Sequence, residues 1–422
     1  MTASSHPIRM GVVGVGGYAG VICRQLLSRR GHGPIELVAA CEPDPNRHPE
    51  IIAQLRQQGV EIQRDLDALL TRDIDAIWLP VPIDLHRNMT EKVLAVGKAV
   101  MVEKPAAGSV QDVDAMIAAR DAQRGIVAVG FQHLYDPHLH ELRQRIRQGA
   151  IGRVLSASVR ACWPRHEGYY HRTMWAGRMS RAGVWVMDSP ANNALAHYIA
   201  ILLYLLAANE SEAAEPVQVE AELYRVNNIE NYDTCSLRIG LANGISILVL
   251  FTHASESELD PVTIIRGEKG VIKIDGSVEI EGIGQLLRSR QPEFEELQHN
   301  MQTAFAQRLR GIAAPIATLE MARAHTVAVN GASEASAVSE ISDKFSRTIR
   351  RDGQAQRIIT GIETIFEQCQ LQDKMLHESG LAPWSIAAGF KNLRSYKEFL
   401  GPRIEAASDK TSISTSRAKV RL

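Results

Sequence analysis

The first 150 residues of this chain alternate short apolar runs with stretches of helical periodicity. The runs at residues 10–15, 35–41, 76–81, 99–102 and 126–129 have the length and composition of strands buried on both faces. Between them, apolar positions recurring at three- and four-residue intervals predict helices over 19–28, 49–58, 66–71, 85–96, 110–123 and 139–148. Such alternation predicts a doubly wound parallel sheet, with residues 1–150 forming one α/β domain. The stretch 149–153 marks its boundary.

From residue 153 the pattern changes to longer β-rich segments: VLSASVRACW, VEAELYRVNN, DTCSLRIGLANGISILVLFTHA and TIIRGEKGVIKIDG. Asn243-Gly244 inside an apolar run signals a two-residue hairpin, and residues 267–270 signal a second turn. These features predict an α+β domain over 151–400 with a largely antiparallel sheet, open on one face. Helices are expected over 194–208, 315–338 and 358–379, the last with Ile359, Ile362, Ile365 and Phe366 as its apolar positions. Because an open apolar face favours association, a homodimer or homotetramer is expected. Residues 401–422 are polar and unpatterned and read as a loose tail.

Composition narrows the function classes. The 422 residues are 45% hydrophobic, enough for two cores. A formal net charge of −1 supplies no basic field, so nucleic acid is not an expected partner. The longest apolar stretch, 199–208, is far short of the ~20 residues of a membrane span and reads as a buried helix. The N-terminal MTASSHPIR has no apolar signal core, and the five cysteines show no CxxC or metal spacing. A reduced, cytoplasmic setting is expected.

Candidate chemistry begins at MGVVGVGGYAG. Gly14-x-Gly16-x-x-Ala19 follows an apolar run and opens a helix, the context in which such glycines let backbone approach a pyrophosphate. Gly17 and Tyr18 complete the turn, and the helix N-terminus offers free N–H groups to phosphates. The second run ends in Glu42, where a carboxylate can accept both ribose hydroxyls of NAD and repel a 2′-phosphate. Arg47 keeps NADP open. Further on, Glu103-Lys104-Pro105 closes the fourth run, so Lys104 stands at a carboxyl strand end. A lysine desolvated there can titrate low enough for general acid/base work.

GVVGVGGYAG, LPVPIDLH and VEKP, in that order and followed by a β-rich half, resemble the Gfo/Idh/MocA oxidoreductase family over residues 7–400 or so. The resemblance implies that Lys104 contacts both nicotinamide and the reacting hydroxyl. It also implies that Pro82 and His86 line the cofactor site and that Glu103 touches the cofactor. Where such proteins often read GYNxRFxP, this chain reads GFQHLYDP, placing Gln132 at the Asn position and Leu134 at the Arg position.

The family also tends to carry a glycine-rich approach to an aspartate with histidine four residues on. Here GVWVMD leads to Asp188, but Asn192 stands where that histidine would be; read backward from HYIAILLYLLA, His197 is the equivalent and Asn193 its partner. A five-residue insertion, SPANN, separates the two registers. Asp188 and His197 are therefore expected near the substrate, with Asn192 and Asn193 bonding its hydroxyls. The loop before Asp188 crowds together Tyr169, Tyr170, His171, Arg172, Trp175 and Arg178, and Tyr170 and Trp175 are taken as faces for a sugar or polyol. The fourteen histidines form no metal motif, so no metal is expected. The resulting expectation is an NAD(P)-dependent oxidoreductase acting on a carbohydrate-like hydroxyl. Redox-assisted elimination or hydrolysis with recycled NAD, and a non-catalytic nucleotide sensor, remain alternatives.

Overall fold

In the computed structural model the described residues are 6–208, 213–282, 287–290 as backbone alone, and 292–404. The tail expected over 401–422 lies outside them from residue 405 onward. The first sheet is built from β1 (Ile8–Val13), β2 (Ile35–Cys41), β3 (Glu61–Gln63), β4 (Ala76–Leu79), β5 (Ala99–Val102) and β6 (Val127–Val129). All its pairings are parallel, in the order β3-β2-β1-β4-β5-β6. Met10, Val12, Ile77, Trp78, Val100 and Met101 are fully enclosed, which is why these strands read as continuous apolar runs. Only β3 escaped that pattern, being three residues long, polar and at the edge. Helices α1 (Gly17–Ser28), α2 (Pro49–Gln57), α3 (Leu66–Leu70), α4 (Ile83–Ala95), α5 (Val110–Gln123) and α6 (Pro137–Arg147) follow in the expected alternation. Strand order reverses between β1 and β4, so a crevice opens above their carboxyl ends, where the glycine turn and the Pro80–Pro82 loop face each other.

The second half contributes β7 (Val154–Cys162), a short α7 (Glu167–His171), the ribbon β8 (Ser180–Arg181) and β9 (Val184–Trp185), and α8 (Ala196–Leu205). Then follow β10 (Pro216–Arg225), β11 (Thr234–Leu241), β12 (Ser246–Thr252), β13 (Leu259–Gly267), β14 (Val271–Ile274), β15 (Ser277–Glu281) and β16 (Leu287–Arg290). Next come α9 (Phe294–Leu309), α10 (Leu319–Ala335), β17 (Val338–Glu340), β18 (Ser346–Arg351), β19 (Gln354–Ile359), α11 (Ile362–Gln372), α12 (Leu376–Ser379) and β20 (Gly389–Asn392). The large sheet runs β16-β15-β14-β13-β7-β12-β11-β10-β17, with β20 also on β10. It is antiparallel except for β7 beside β12 and β10 beside β17.

Two expectations change here. At Asn243-Gly244, Leu241 pairs with Ile245, Gly244 donates to the Leu241 carbonyl, and only Gly244 has positive φ (+84°). The loop is therefore the three residues Ala242-Asn243-Gly244, since a two-residue type I′ turn needs positive φ at both centres. The stretch 358–379 is not one helix either: β19 ends at Ile359, Gly361 at φ +73° starts α11, and Asp373 at φ +53° stops it before α12.

The second half does not leave a bare face. Val159, Ala221, Leu237, Val249 and Phe251 point to the main core shared with α8 and α10. On the opposite face Cys162, Tyr224, Leu248 and Leu250 pack under Ile359, Ile362, Phe366, Met375 and Leu376. The surface expected to stand open is thus covered over its central strands by the chain's own C-terminal segment. Several polar groups on that face are matched as well: buried Glu222 accepts from His377 and Tyr224, and Arg160 donates to Gln370.

The halves interlock. Helix α10 packs on both α5 and β10, and its buried Asn330 accepts from Val110 N–H at 2.9 Å and donates to the Gly108 carbonyl at 3.0 Å. Helix α9, whose mixed sequence hid its periodicity, reaches back so that Gln298 donates to the Tyr18 hydroxyl. Arg181 pairs with Asp84 across the same junction. Among the described residues no helix is long and apolar enough to cross a membrane.

Asn330→Ala leaves a buried N–H and a carbonyl unpaired and is expected to cost about 1–3 kcal/mol in chemical denaturation. Phe366→Ala, which hollows the C-terminal cover, is expected to cost about 3–5 kcal/mol in the same assay.

Candidate active site

The glycine turn is shaped for an anion. Gly14 (φ +88°) and Gly17 (φ +53°) take backbone conformations that side chains disfavour, and Gly14 N–H is tied to the Cys41 carbonyl of β2. Gly16 is the N-cap of α1; that helix start has no side-chain cap and no acid in its first turn, leaving its N–H groups to a ligand. The close approach of helix to strand falls on Gly20, where a Cβ would stand 2.6 Å from the Val15 carbonyl oxygen, while Ala19 is buried beside Gly14. His48, which the sequence did not single out, lies directly over Gly16.

Above this turn a cleft of about 680 Å³ opens between the halves. One wall carries Gly16, Gly17, Tyr18, His48, Pro82, Glu103, Lys104 and Gln132; the other carries Tyr169, Arg172, Thr173, Trp175, Asn193 and His197. Phe294, the first residue of α9, contributes to the rim. Glu103 is buried under this floor, accepting from Trp78 Nε1 at 3.1 Å and from Lys104 N–H at 3.3 Å. Burial raises its carboxyl to about 7 against the pull of the Lys104 charge. A Cβ at Gly130 would strike the Glu103 carboxylate and push it out of this position.

The Lys104 ammonium has a fixed geometry. Its Nζ donates to the Asn193 carbonyl at 2.8 Å and to Asn193 Oδ1 at 3.0 Å. Asn193 Nδ2 in turn donates to Asp188 Oδ1 at 2.7 Å, and Gly177 N–H donates to Asp188 Oδ2 at 2.6 Å. Desolvation pulls Lys104 below the ordinary lysine value, opposed by the charges of Glu103 and Asp188. Burial pushes the Asp188 carboxyl up while the two donated hydrogen bonds hold it down. The two registers left open by the insertion therefore converge: Asp188 and Asn193 bond to each other, and His197 follows one turn later.

His197 lines the cleft, its ring 4.7 Å from His133 and edge-on to Phe131 at 5.7 Å. Its buried Nδ1 has no hydrogen-bond partner, and desolvation holds it well below the usual histidine range, so it faces the cleft as a neutral imidazole.

Besides Asp188, which stands behind Asn193, and Gly14 and Ala19 beneath the turn, four expected site residues do not reach the cleft wall. The His86 ring nitrogens lie at 2.9 Å from the Val81 carbonyl and 3.0 Å from that of Pro105, bracing the loops behind the wall. Asn192 is enclosed, its amide donating to the Val186 carbonyl at 3.1 Å, because the SPANN turn points alternate asparagines in different directions. Tyr170 turns inward with its hydroxyl buried, while perpendicular Tyr169 faces the cleft; successive residues of α7 are rotated about 100° apart. Glu42 stands buried at the end of β2, accepting from Asp44 N–H at 3.2 Å, and Arg47 is paired with Asp44. Among the described residues no three His, Cys, Asp or Glu side chains cluster as a metal site.

Comparison with known proteins agrees with this architecture. Residues 8–131 match the family described as "Oxidoreductase family, NAD-binding Rossmann fold", and residues 139–273 match the "GFO/IDH/MocA C-terminal domain". An inositol 2-dehydrogenase of Rhizobium meliloti (strain 1021) is 24% identical over 283 residues, 65% of this chain and 78% of the relative. A dTDP-3,4-didehydro-2,6-dideoxy-alpha-D-glucose 3-reductase of Streptomyces violaceoruber is 29% identical over 36% of this chain and 45% of its own length. The WlbA dehydrogenase from Bordetella pertussis, solved with NADH and UDP-GlcNAcA, shares the fold with a TM-score of 0.64 at 22% identity, over 78% of this chain and 97% of that one. An inositol dehydrogenase homolog from Azotobacter vinelandii, solved with NADH and myo-inositol, gives 0.63 at 16% identity, over 78% and 96%.

Burial holds His133 and His325 down to about 4, so both are neutral in the fold and protonate near 6.5 when unfolded. From pH 6.5 down to about 4 the unfolded chain binds more of these protons, and their contribution to stability is lost on acidification. Glu103 acts with the opposite sign between its unfolded value and about 7, so the informative quantity is a difference between proteins. Denaturation midpoints across this window are expected to fall less steeply for His325→Gln than for the unaltered protein.

Proposed function

The chain belongs to the GFO/IDH/MocA oxidoreductases, and on that footing we propose that it is an NAD-dependent dehydrogenase oxidising a hydroxyl of a sugar- or polyol-like substrate. The observation that carries this reading is the Lys104–Asn193–Asp188 chain opening onto the same cleft as the glycine turn. The turn fits NAD: Gly16 and Gly17 admit close approach, α1 presents uncapped N–H groups, and Tyr18, Pro82 and Gln132 would flank the bound dinucleotide. Glu42, at the end of β2, favours NAD over NADP by charge, and Arg47 is engaged with Asp44. When bound, NAD supplies the hydride acceptor.

The protein's part is to place and deprotonate the hydroxyl. Lys104, lowered by desolvation, takes the hydroxyl proton at Nζ as the carbinol hydride leaves. Asn193 fixes the direction of that amine, and Asp188, screened from the cleft by Asn193, stabilises the ammonium that forms. Neutral His197 offers a hydrogen bond to a second hydroxyl, and Trp175 offers a flat face to a sugar ring. The inositol dehydrogenases and sugar reductases among the relatives support a polyhydroxylated substrate.

Lys104→Met is expected to lower turnover by about 10²–10⁴-fold while NAD affinity, followed by titration calorimetry, stays close to that of the unaltered protein. Retained NADH production would remove Lys104 from the reaction. Oxidation requires the neutral amine, so kcat is expected to rise with pH through an inflection below the ordinary lysine value. Asp188→Asn removes a negative charge that raises Lys104, so that inflection should move to lower pH in a kcat–pH profile.

A further inference from the structure

The second wall of the cleft carries positive charge that the hydroxyl chemistry does not use. Arg172, just past the end of α7, lies with its guanidinium 3.5 Å from the Tyr169 ring centroid and 5.3 Å from that of Trp175. One of its nitrogens donates to the Tyr169 carbonyl at 2.6 Å. Arg165 sits over the same Tyr169 ring at 4.9 Å, with its Nε buried and without a hydrogen-bond partner. Among the described residues neither guanidinium has a carboxylate within ion-pair distance.

Carboxylates around the cleft have other partners, and Glu167 of α7 stands 3.9 Å from His171. Both Asp188 oxygens are occupied by Gly177 and Asn193, Glu230 is paired with Arg178, and Glu103 is held by Trp78 on the opposite wall. The field of Arg172 nevertheless reaches the reacting end, since it acts on both Lys104 and Asp188. The pyrophosphate of a dinucleotide belongs to the glycine turn on the far wall, so it does not satisfy this cation. The loop is also braced from behind, for α7 packs on β19 and Gly168 lies against Gln354. A guanidinium stacked on aromatic rings keeps its planar fork pre-organised for a carboxylate or phosphate.

Resting on the dehydrogenase reading, we propose that the substrate is an anionic sugar, bearing a carboxylate or a phosphate ester that Arg172 binds, with Arg165 reinforcing the charge. Trp175 then borders the sugar ring while Lys104 meets the hydroxyl.

The test uses the full chain saturated with NAD+ and titrated calorimetrically with three probes: D-glucuronate, D-glucose 6-phosphate and D-glucose. One or both anionic probes should bind about tenfold or more tightly than glucose, which one revealing carboxylate or phosphate as the preferred group. In Arg172→Gln that preference should disappear while NAD+ affinity and the weak glucose affinity persist; in Arg172→Lys it should be partly kept. Equal binding of all three probes, no binding of either anion, or a preference that survives in Arg172→Gln would overturn the proposal. The dehydrogenase reading fails by a different result, namely absence of NAD+ binding by the unaltered protein.

Discussion

An amine drawn out of water at the carboxyl end of a buried strand must be held by polar partners or leave the site, and Lys104 is held by Asn193. That contact joins the halves of the molecule. Lys104 comes from the end of β5 in the parallel sheet, Asn193 from the turn before α8 in the second half, and Asp188 stands behind Asn193. The cleft, the lowered lysine and the direction of its ammonium therefore exist only when both halves are docked. Helix α10 and the contacts of Asn330 and Arg323 with the first half secure that docking far from the chemistry.

Electrostatics divides the cleft into regions with different tasks. The glycine turn and the start of α1 offer backbone N–H groups to phosphates. At the centre, Asp188 lies behind Asn193, and the polar groups on the walls include the Lys104 amine, the Asn193 amide, the Glu103 carboxyl and a neutral His197 imidazole. The loop with Tyr169, Arg172 and Trp175 closes the other wall with aromatic faces and cations. The C-terminal segment from β18 to α12 props this loop and covers the outer face of the large sheet, so the cleft wall and sheet solvation depend on the same segment.

Much of the first half was legible because buried parallel strands must be apolar throughout, as in Ile35–Cys41 and Ala99–Val102. Lys104 and the glycine turn were legible because their chemistry needs those residue types at strand ends. Other features depend on direction, which one chain of letters does not carry. Whether Tyr169 or Tyr170 faces the cleft turns on the phase of a five-residue helix, and Asn192 and Asn193 part company within a turn. His48 reaches the cofactor wall only because the Pro45–Arg47 turn swings it over Gly16. His86 has the right position in its motif, yet its nitrogens are taken by backbone carbonyls. The covered outer face was missed because Leu248 and Leu250 find their partners more than a hundred residues later, in a segment that reads as a single helix.

The most direct test is a crystal structure of the protein with NAD+ and a bound polyhydroxylated ligand. Lys104 Nζ is expected to remain bonded to Asn193 and to lie within about 3 Å of the ligand hydroxyl whose carbon faces the nicotinamide. An ammonium turned into solvent, with the Asn193 contact broken and the ligand hydroxyl bonded elsewhere, would contradict that expectation.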